Sequence, residues 1–247
     1  MRRRHELIQS TAMGRRMNVW CFGHFGAPLL VFPSAAGFAH EWDVQGMVET
    51  LAPLIEGGRL KLYCPESNVS QTWTNKTEPL PIRMKAHTAY ERFILDDMVP
   101  AIRRDCNSEG IRIATSGCSL GAMYAANFTL KNPEIFSYAL CLSGRYKATH
   151  FTGGASSLDV YYNDPIAFVS NMNGETLQRV QRHTFLSMVC GQGPWEEGCI
   201  EETQLLCDIF EAKGIPHSRD IWGRDVAHDW NWWRRQAWYH LANRFGR

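Results

Sequence analysis

The sequence predicts an α/β protein whose central sheet is mostly parallel and is covered by helices on both faces. Short apolar runs rich in β-branched and aromatic residues alternate with segments in which apolar residues recur every three or four positions. The first pattern is typical of buried strands and the second of amphipathic helices. Alternation of the two favours parallel strands that are joined by crossover helices.

Seven strands and four long helices follow from these patterns. The predicted strands cover residues 17–22, 28–32, 60–64, 111–115, 137–142, 184–190 and 217–222. The predicted helices cover residues 88–106, 120–131, 201–213 and 230–243. The first helix is indicated by the spacing of Tyr90, Phe93, Ile94, Met98 and Ile102.

One segment, residues 145–178, is less regular and carries GG, NDP and MNG turn signals. We expect it to be an insertion over one end of the sheet, near the active site. The chain has no internal repeat and no obvious linker, and α/β folds of its 247 residues often form one unit. Residues 1–247 are therefore expected to form a single domain.

The composition excludes several classes of protein. A net charge of +1 provides no overall field for nucleic acid or an anionic membrane, so neither is expected as a partner. No apolar run follows the arginines at the start, and no apolar stretch is long enough to span a bilayer. We therefore expect a soluble, cytoplasmic protein.

Two further patterns have ordinary interpretations. The eight cysteines form no C-x-x-C pair, so they lack the usual spacing of a zinc or thioredoxin-type site and are expected to be reduced core residues. The aromatic and arginine-rich stretch 230–240 resembles the composition of single-strand nucleic-acid binders. Its residues Trp230, Trp233, Ala237 and Leu241 recur at helical spacing, which favours packing on the sheet.

The stretch Gly117-Cys118-Ser119-Leu120-Gly121 matches G-x-S-x-G and stands between a predicted strand and a predicted helix. In that context the motif places a nucleophilic serine on a sharp turn, where the helix N-terminus and the Leu120 N–H face a developing oxyanion. The alternative is an ordinary serine cap after a glycine turn. Ser119 is the predicted nucleophile, and the neighbouring Cys118 thiol is the poorer candidate.

A serine nucleophile needs a base and an acid, which in this architecture follow it in the order acid, then histidine. His228 stands directly after the last predicted strand and before the last helix, where the histidine is expected; a helix-capping surface histidine is the alternative. The acid is expected after the strand 184–190, where Glu196 and Glu197 compete. One should turn inward, and spacing alone does not choose between them.

A second oxyanion donor is expected in the loop after an early strand, in the stretch Pro33-Ser34-Ala35-Ala36-Gly37. Its small residues would let the backbone approach a substrate oxygen. The N–H of Ala35 or of Ala36 could donate there, and Ala35 is the first candidate. An ordinary glycine-terminated turn is the alternative.

Taken together, these motifs resemble the esterase family of α/β-hydrolases that includes esterase D and the mycobacterial mycolyltransferases. The resemblance is carried by PLLVFPSAAG, SGCSLGAMYAANF, GQGPWEEG and HDWNWW, and covers most of the chain from Met17 onward. It implies the α/β-hydrolase fold and a triad of Ser119, His228 and Glu197, because the mycolyltransferase acid loop read without gaps falls on Glu197. The early loop departs from that of the mycolyltransferases, since Pro-Ser-Ala-Ala-Gly stands in place of their Asp-Gly type.

The resulting expectation is a serine carboxylesterase that forms an acyl-enzyme on a small-molecule ester and needs no metal or organic cofactor. An acyltransferase with the same triad is the first alternative, since the two differ in water access and in the acceptor site, which the sequence does not show. A non-catalytic binding protein on the hydrolase scaffold is the second. The physiological substrate, the acyl chain length and the oligomeric state are not predicted.

Overall fold

The computed structural model describes residues 1–246 and is built around one sheet of eight strands. The strands are β1 (Arg3–Ser10), β2 (Arg15–Phe22), β3 (Ala27–Phe32), β4 (Leu60–Pro65), β5 (Ile113–Cys118), β6 (Phe136–Leu142), β7 (Phe185–Cys190) and β8 (His217–Ile221). Their order across the sheet is β1-β2-β4-β3-β5-β6-β7-β8. The pairs β1–β2 and β2–β4 are antiparallel, and the other pairs are parallel. The predicted mostly parallel sheet is confirmed.

Eleven helices connect and cover the strands in the described chain. They are α1 (Glu41–Val44), α2 (Met47–Thr50), α3 (Ala52–Glu56), α4 (Leu80–Arg92), α5 (Val99–Asp105), α6 (Leu120–Lys131), α7 (Leu158–Tyr161), α8 (Pro165–Asn171), α9 (Gly174–His183), α10 (Cys199–Ala212) and α11 (Trp230–Phe245). A π-helical turn at Phe93–Met98 joins α4 to α5. It precedes Pro100, whose missing N–H removes one regular helical hydrogen bond.

Most predicted elements are present with shifted ends. The helix predicted from residue 88 begins earlier, at Leu80. A proline stands in its first turn, where the backbone N–H would have no helical partner, so the proline does not prevent the helix from starting there. The strand predicted to end at residue 115 runs on to Cys118 and so reaches the glycine-rich motif. β1 was not predicted, because its arginines and its exposed Leu7 hide the alternation of an edge strand.

The sheet separates two apolar cores, as the side-chain alternation of a strand requires. In β3, Leu30 and Phe32 belong to the core under α4, α5, α6 and α10, whereas Leu29 and Val31 belong to the core under α1–α3 and α11. Both faces of the sheet are therefore covered. The carboxyl ends of β3, β5, β6, β7 and β8 all meet one edge, and the loops there carry the predicted site residues.

The segment 145–178 contains α7, α8 and the start of α9 between β6 and β7. Tyr161, Tyr162 and Phe168 line a cavity of about 460 Å³ together with Leu130 and Lys131, at the end of α6 that lies away from Ser119. The eight cysteines are unpaired. Over residues 1–246, no helix combines the length and the apolar character needed to cross a bilayer.

One buried histidine is expected to make the free energy of unfolding depend on pH. His87 on α4 is 2% exposed, and its Nε2 lies 3.0 Å from the Asn163 Oδ1 atom. Burial lowers the pKa of His87 below its ordinary value of 6.5, although Glu91 opposes this effect. As the pH falls below 6.5, the unfolded chain therefore binds this proton before the folded chain does, and the free energy of unfolding decreases.

We expect His87→Gln to lose less stability than the wild type between pH 8 and pH 5.5, as measured by urea unfolding at both values. His24→Gln is the control, because His24 is exposed. Equal losses in wild type and His87→Gln would show that another group is responsible.

Candidate active site

Ser119 stands on a strained turn between β5 and α6. Its backbone angles are φ 56° and ψ −120°, a conformation that is costly for a residue with a side chain. The flanking glycines are required by space. A Cβ on Gly117 would lie 2.3 Å from the carbonyl carbon of Gly121, and a Cβ on Gly121 would lie 2.4 Å from the Phe32 carbonyl oxygen. The motif therefore brings the start of α6 against the end of β3.

The backbone N–H of Ser119 is hydrogen-bonded, whereas its hydroxyl is not. The Ser119 N–H donates to the Leu142 carbonyl at 2.8 Å, which places the serine beside the end of β6. The half-buried side chain makes no hydrogen bond to any of the residues 1–246. Cys118 is fully buried, and burial raises the pKa of its thiol well above the ordinary value. Of the two neighbours, only Ser119 presents an accessible nucleophile.

Glu196, not Glu197, contacts His228. The Glu196 Oε2 atom lies 3.0 Å from the His228 Nδ1 atom, and the Glu196 side chain is 1% exposed. Glu197 is exposed. The preference for Glu197 as the partner of His228 is therefore wrong in this geometry. The acid loop turns at this point: Trp195 has a φ of 69°, and the Glu196 N–H donates to the Gly193 carbonyl at 3.3 Å. Spacing along the sequence does not show which of the two neighbouring side chains such a turn buries.

The acid loop and the histidine loop are joined through their backbones. Gly193 N–H donates to the Val226 carbonyl at 2.9 Å, and His228 N–H donates to the Pro194 carbonyl at 3.0 Å. A Cβ on Gly191 would lie 2.1 Å from the same Val226 oxygen, so the two loops approach too closely for any other residue there. Backbone hydrogen bonds between the two loops thus fix the positions from which Glu196 and His228 make contact.

The Glu196 carboxylate is kept ionised despite its burial. Burial alone would raise its pKa, but hydrogen bonds from His228 and Ser143 outweigh it, and the pKa lies below its ordinary value. Ser143 Oγ donates to Oε1 at 2.6 Å, and the Gly191 N–H donates to the same atom at 3.2 Å. A charged carboxylate at Nδ1 fixes that nitrogen as the donor, so Nε2 remains as the basic atom of His228.

The loop after β3 is held by a buried carboxylate. Ser34 donates to Glu41 twice, from its N–H at 2.7 Å and from its hydroxyl at 2.5 Å. Glu41 is 7% exposed, and burial raises its pKa. This double contact holds the loop in which Ala35 and Ala36 are exposed. The loop begins where the Phe32 and Pro33 carbonyls lie against Gly121 of α6.

The two alanines differ in what their N–H groups do. The Ala36 N–H reaches Ser34 Oγ at 3.4 Å, whereas the Ala35 N–H has no partner among residues 1–246. The Leu120 N–H belongs to the first turn of α6, where helix geometry leaves it without a partner in the helix. The N–H groups of Ala35 and Leu120 thus have no recorded partner in the described part of the chain, and their role as oxyanion donors stays a prediction.

One group of side chains in the described chain has the chemistry of a metal site. The ligand atoms of Glu196, Cys199 and His228 lie within 4.8 Å of one another. The Glu196–His228 hydrogen bond accounts for two of the three, and Cys199 Sγ lies 3.9 Å from His228 Nδ1. Burial raises the pKa of the Cys199 thiol to about 12, which disfavours the thiolate that metals bind.

Sequence reasoning missed Ser143, Glu41 and the role of Trp233. The indole of Trp233 lies edge-on to the His228 ring, with centroids 4.8 Å apart, and its N–H donates to Ser143 Oγ. Ser143 had a signal, since it directly follows a predicted strand at the carboxyl edge of the sheet. Glu41 had none, because its contact with Ser34 depends on the fold of the loop.

An eight-stranded, mostly parallel sheet with a serine on a strained strand-to-helix turn defines an α/β-hydrolase. Residues 66–244 match the Esterase family model, described as "Putative esterase". This match covers more than half of the chain, so the chain belongs to that esterase family and is a carboxylic ester hydrolase. The chain matches no curated protein sequence.

Solved structures with the same fold are distant in sequence. A ferulic acid esterase has a TM-score of 0.78 and 16% identity, over 99% of this chain and 98% of its own. Mycobacterium tuberculosis MPT51 (FbpC1) has a TM-score of 0.74 and 13% identity, over 100% and 98%. S-formylglutathione hydrolase (FrmB) from Staphylococcus aureus has a TM-score of 0.73 and 14% identity, over 98% and 96%. At these identities the likeness shows the fold, and the resemblance to the esterase D and mycolyltransferase family is confirmed.

Proposed function

We propose that the protein hydrolyses a small-molecule carboxylic ester through a triad of Ser119, His228 and Glu196 and an acyl-enzyme intermediate. The observation that carries the proposal is the hydrogen bond between the buried Glu196 carboxylate and His228 Nδ1. It prepares His228 Nε2 as a base at the edge of the sheet where Ser119 stands on its strained turn.

In the first half of the reaction, His228 Nε2 removes the Ser119 hydroxyl proton as the oxygen attacks the ester carbonyl. The N–H groups of Leu120 and Ala35 stabilise the oxyanion that forms. The Glu196 carboxylate stabilises the imidazolium, which then gives its proton to the leaving alcohol. The ester C–O bond breaks, and the acyl group remains on Ser119.

In the second half, His228 removes a proton from water, and the hydroxide attacks the acyl-enzyme. The Ser119 oxygen leaves with the proton held by His228, and the free acid departs. Every step uses groups of this chain and water. The named activities of two structural neighbours, a ferulic acid esterase and an S-formylglutathione hydrolase, are hydrolyses of an ester and a thioester, which agrees with this chemistry.

The test measures hydrolysis of p-nitrophenyl esters of graded acyl length and labelling by a fluorophosphonate probe. We expect release of p-nitrophenol, and one phosphonylated peptide containing Ser119 by mass spectrometry. Product analysis with added alcohols separates hydrolysis from acyl transfer: a product that forms only with an acceptor would favour an acyltransferase. Folded protein that neither hydrolyses esters nor reacts with the probe would contradict the proposal and favour a binding role.

A further inference from the structure

Ser143 occupies a costly backbone conformation at the end of β6. It is fully buried, and its φ of 51° lies in the left-handed region that residues with side chains rarely adopt. Its N–H donates to the Val189 carbonyl on β7 at 2.8 Å. A strained residue of this kind persists where surrounding contacts hold it, and such positions cluster at functional sites.

The hydroxyl of Ser143 forms two hydrogen bonds, and its partners allow only one assignment of donor and acceptor. The Trp233 Nε1–H donates to Ser143 Oγ at 3.0 Å, since an indole N–H is only a donor. Ser143 Oγ lies 2.6 Å from Glu196 Oε1, and an ionised carboxylate is only an acceptor. The hydroxyl therefore accepts from the indole and donates its single proton to Glu196, a directed chain in which each bond strengthens the next.

Within this series of hydrogen bonds, the two oxygens of the Glu196 carboxylate have different partners. Oε1 receives Ser143 and the Gly191 N–H, whereas Oε2 receives His228 and, at 3.4 Å, the Cys190 thiol. Holding Oε1 fixes the rotation of the carboxylate, so Oε2 stays directed at His228 Nδ1. The Trp233 indole that donates to Ser143 also packs edge-on against the His228 ring, and so supports both members of the pair.

We propose that Ser143 is a positioning residue that, with Trp233, orients Glu196 and through it His228. The inference rests on the proposed function for its catalytic consequence, although its structural consequence stands apart from it. Ser143 donates its hydroxyl proton to Glu196, and Trp233 donates its indole N–H to Ser143, so both act through the Glu196–His228 pair. Their effect should therefore appear in the turnover rate and in the hydrogen bond of the Glu196–His228 pair, while substrate affinity remains unchanged.

The test compares Ser143→Ala with Ser187→Ala. Ser187 is a matched control, because it is also buried and its hydroxyl also receives a hydrogen bond from an aromatic donor, Tyr138, in a region without site residues. We expect Ser143→Ala to lower kcat about tenfold to a hundredfold with KM within about twofold. Ser187→Ala should keep the wild-type kcat although it also loses a buried hydrogen bond.

The second readout is the downfield proton resonance of the His228 Nδ1–H, assigned by its loss in His228→Gln. We expect this resonance to shift or broaden in Ser143→Ala and to stay unchanged in Ser187→Ala. It requires no substrate, so an inactive wild type would contradict the proposed function without deciding this inference. Unchanged kcat together with an unchanged resonance in Ser143→Ala would overturn the positioning role.

A second variant keeps the inference testable if Ser143→Ala does not fold. Trp233→Phe retains an aromatic ring against His228 but removes the N–H that donates to Ser143. We expect it to lower kcat several-fold and to move the same resonance in the same direction. A Trp233→Phe variant with wild-type kcat and an unmoved resonance would contradict the proposed series of hydrogen bonds from Trp233 through Ser143 to Glu196.

Discussion

Ester hydrolysis by the Ser119→Ala variant is expected to fall by at least about 10,000-fold in kcat, because the variant lacks the hydroxyl on which the proposed acyl-enzyme forms. The folded state should tolerate the change, since the Ser119 hydroxyl makes no hydrogen bond to residues 1–246. The free energy of unfolding of Ser119→Ala should therefore be at least that of the wild type. Initial rates on the best p-nitrophenyl ester and urea unfolding check the two parts separately.

Cys118→Ala is the matched control for this prediction. Cys118 precedes the serine and carries the only competing nucleophile in the motif, but it is fully buried. We expect Cys118→Ala to retain hydrolysis within several-fold and to retain labelling by the fluorophosphonate probe. Activity that survives in Ser119→Ala and disappears in Cys118→Ala would reverse the assignment of the nucleophile.

The second large effect is expected for Glu196→Gln, with a fall in kcat of about 1,000- to 10,000-fold. The substitution preserves shape but replaces a carboxylate oxygen with an amide. An amide N–H facing His228 Nδ1 would force the proton of the neutral ring onto Nε2, so the ring could no longer accept the Ser119 proton. The measurement is kcat of the variant and of the wild type on the same p-nitrophenyl ester at pH 8.

Glu197→Gln provides the comparison at the adjacent position. Its side chain is exposed, so we expect kcat within about twofold of the wild type. The two variants carry the same chemical change one residue apart, and a general effect of charge loss would alter both. A large loss in Glu197→Gln with normal Glu196→Gln would mean that the acid loop adopts another conformation during turnover.

Local patterns predicted most of the sheet and the position of Ser119, because both depend on signals within a few residues. Apolar runs indicate buried strands, and the glycines at 117 and 121 are required by a close approach that any such turn makes. The same logic placed His228 at the loop after β8. The parts that depend on chain order and local sterics were therefore open to sequence reasoning.

The choice between Glu196 and Glu197 could not be made from the sequence. That choice depends on how the acid loop turns at Trp195, whose φ is 69°, and the local sequence does not indicate such a backbone angle. Ser143, Trp233 and Glu41 were missed for a related reason. Their contacts join residues that are far apart in the chain, such as Trp233 and Ser143, so no periodicity reports them.

The two outermost strands, β1 and β8, bear on how copies of this protein can meet. Both are edge strands that carry charged side chains: Arg3, Arg4 and Glu6 on β1, and Arg219 and Asp220 on β8. Charged, partly exposed edges oppose the pairing of one sheet with another. Association that extends the sheet from copy to copy would remove these charged side chains from water, so we expect both edges to disfavour self-assembly into longer β-structure.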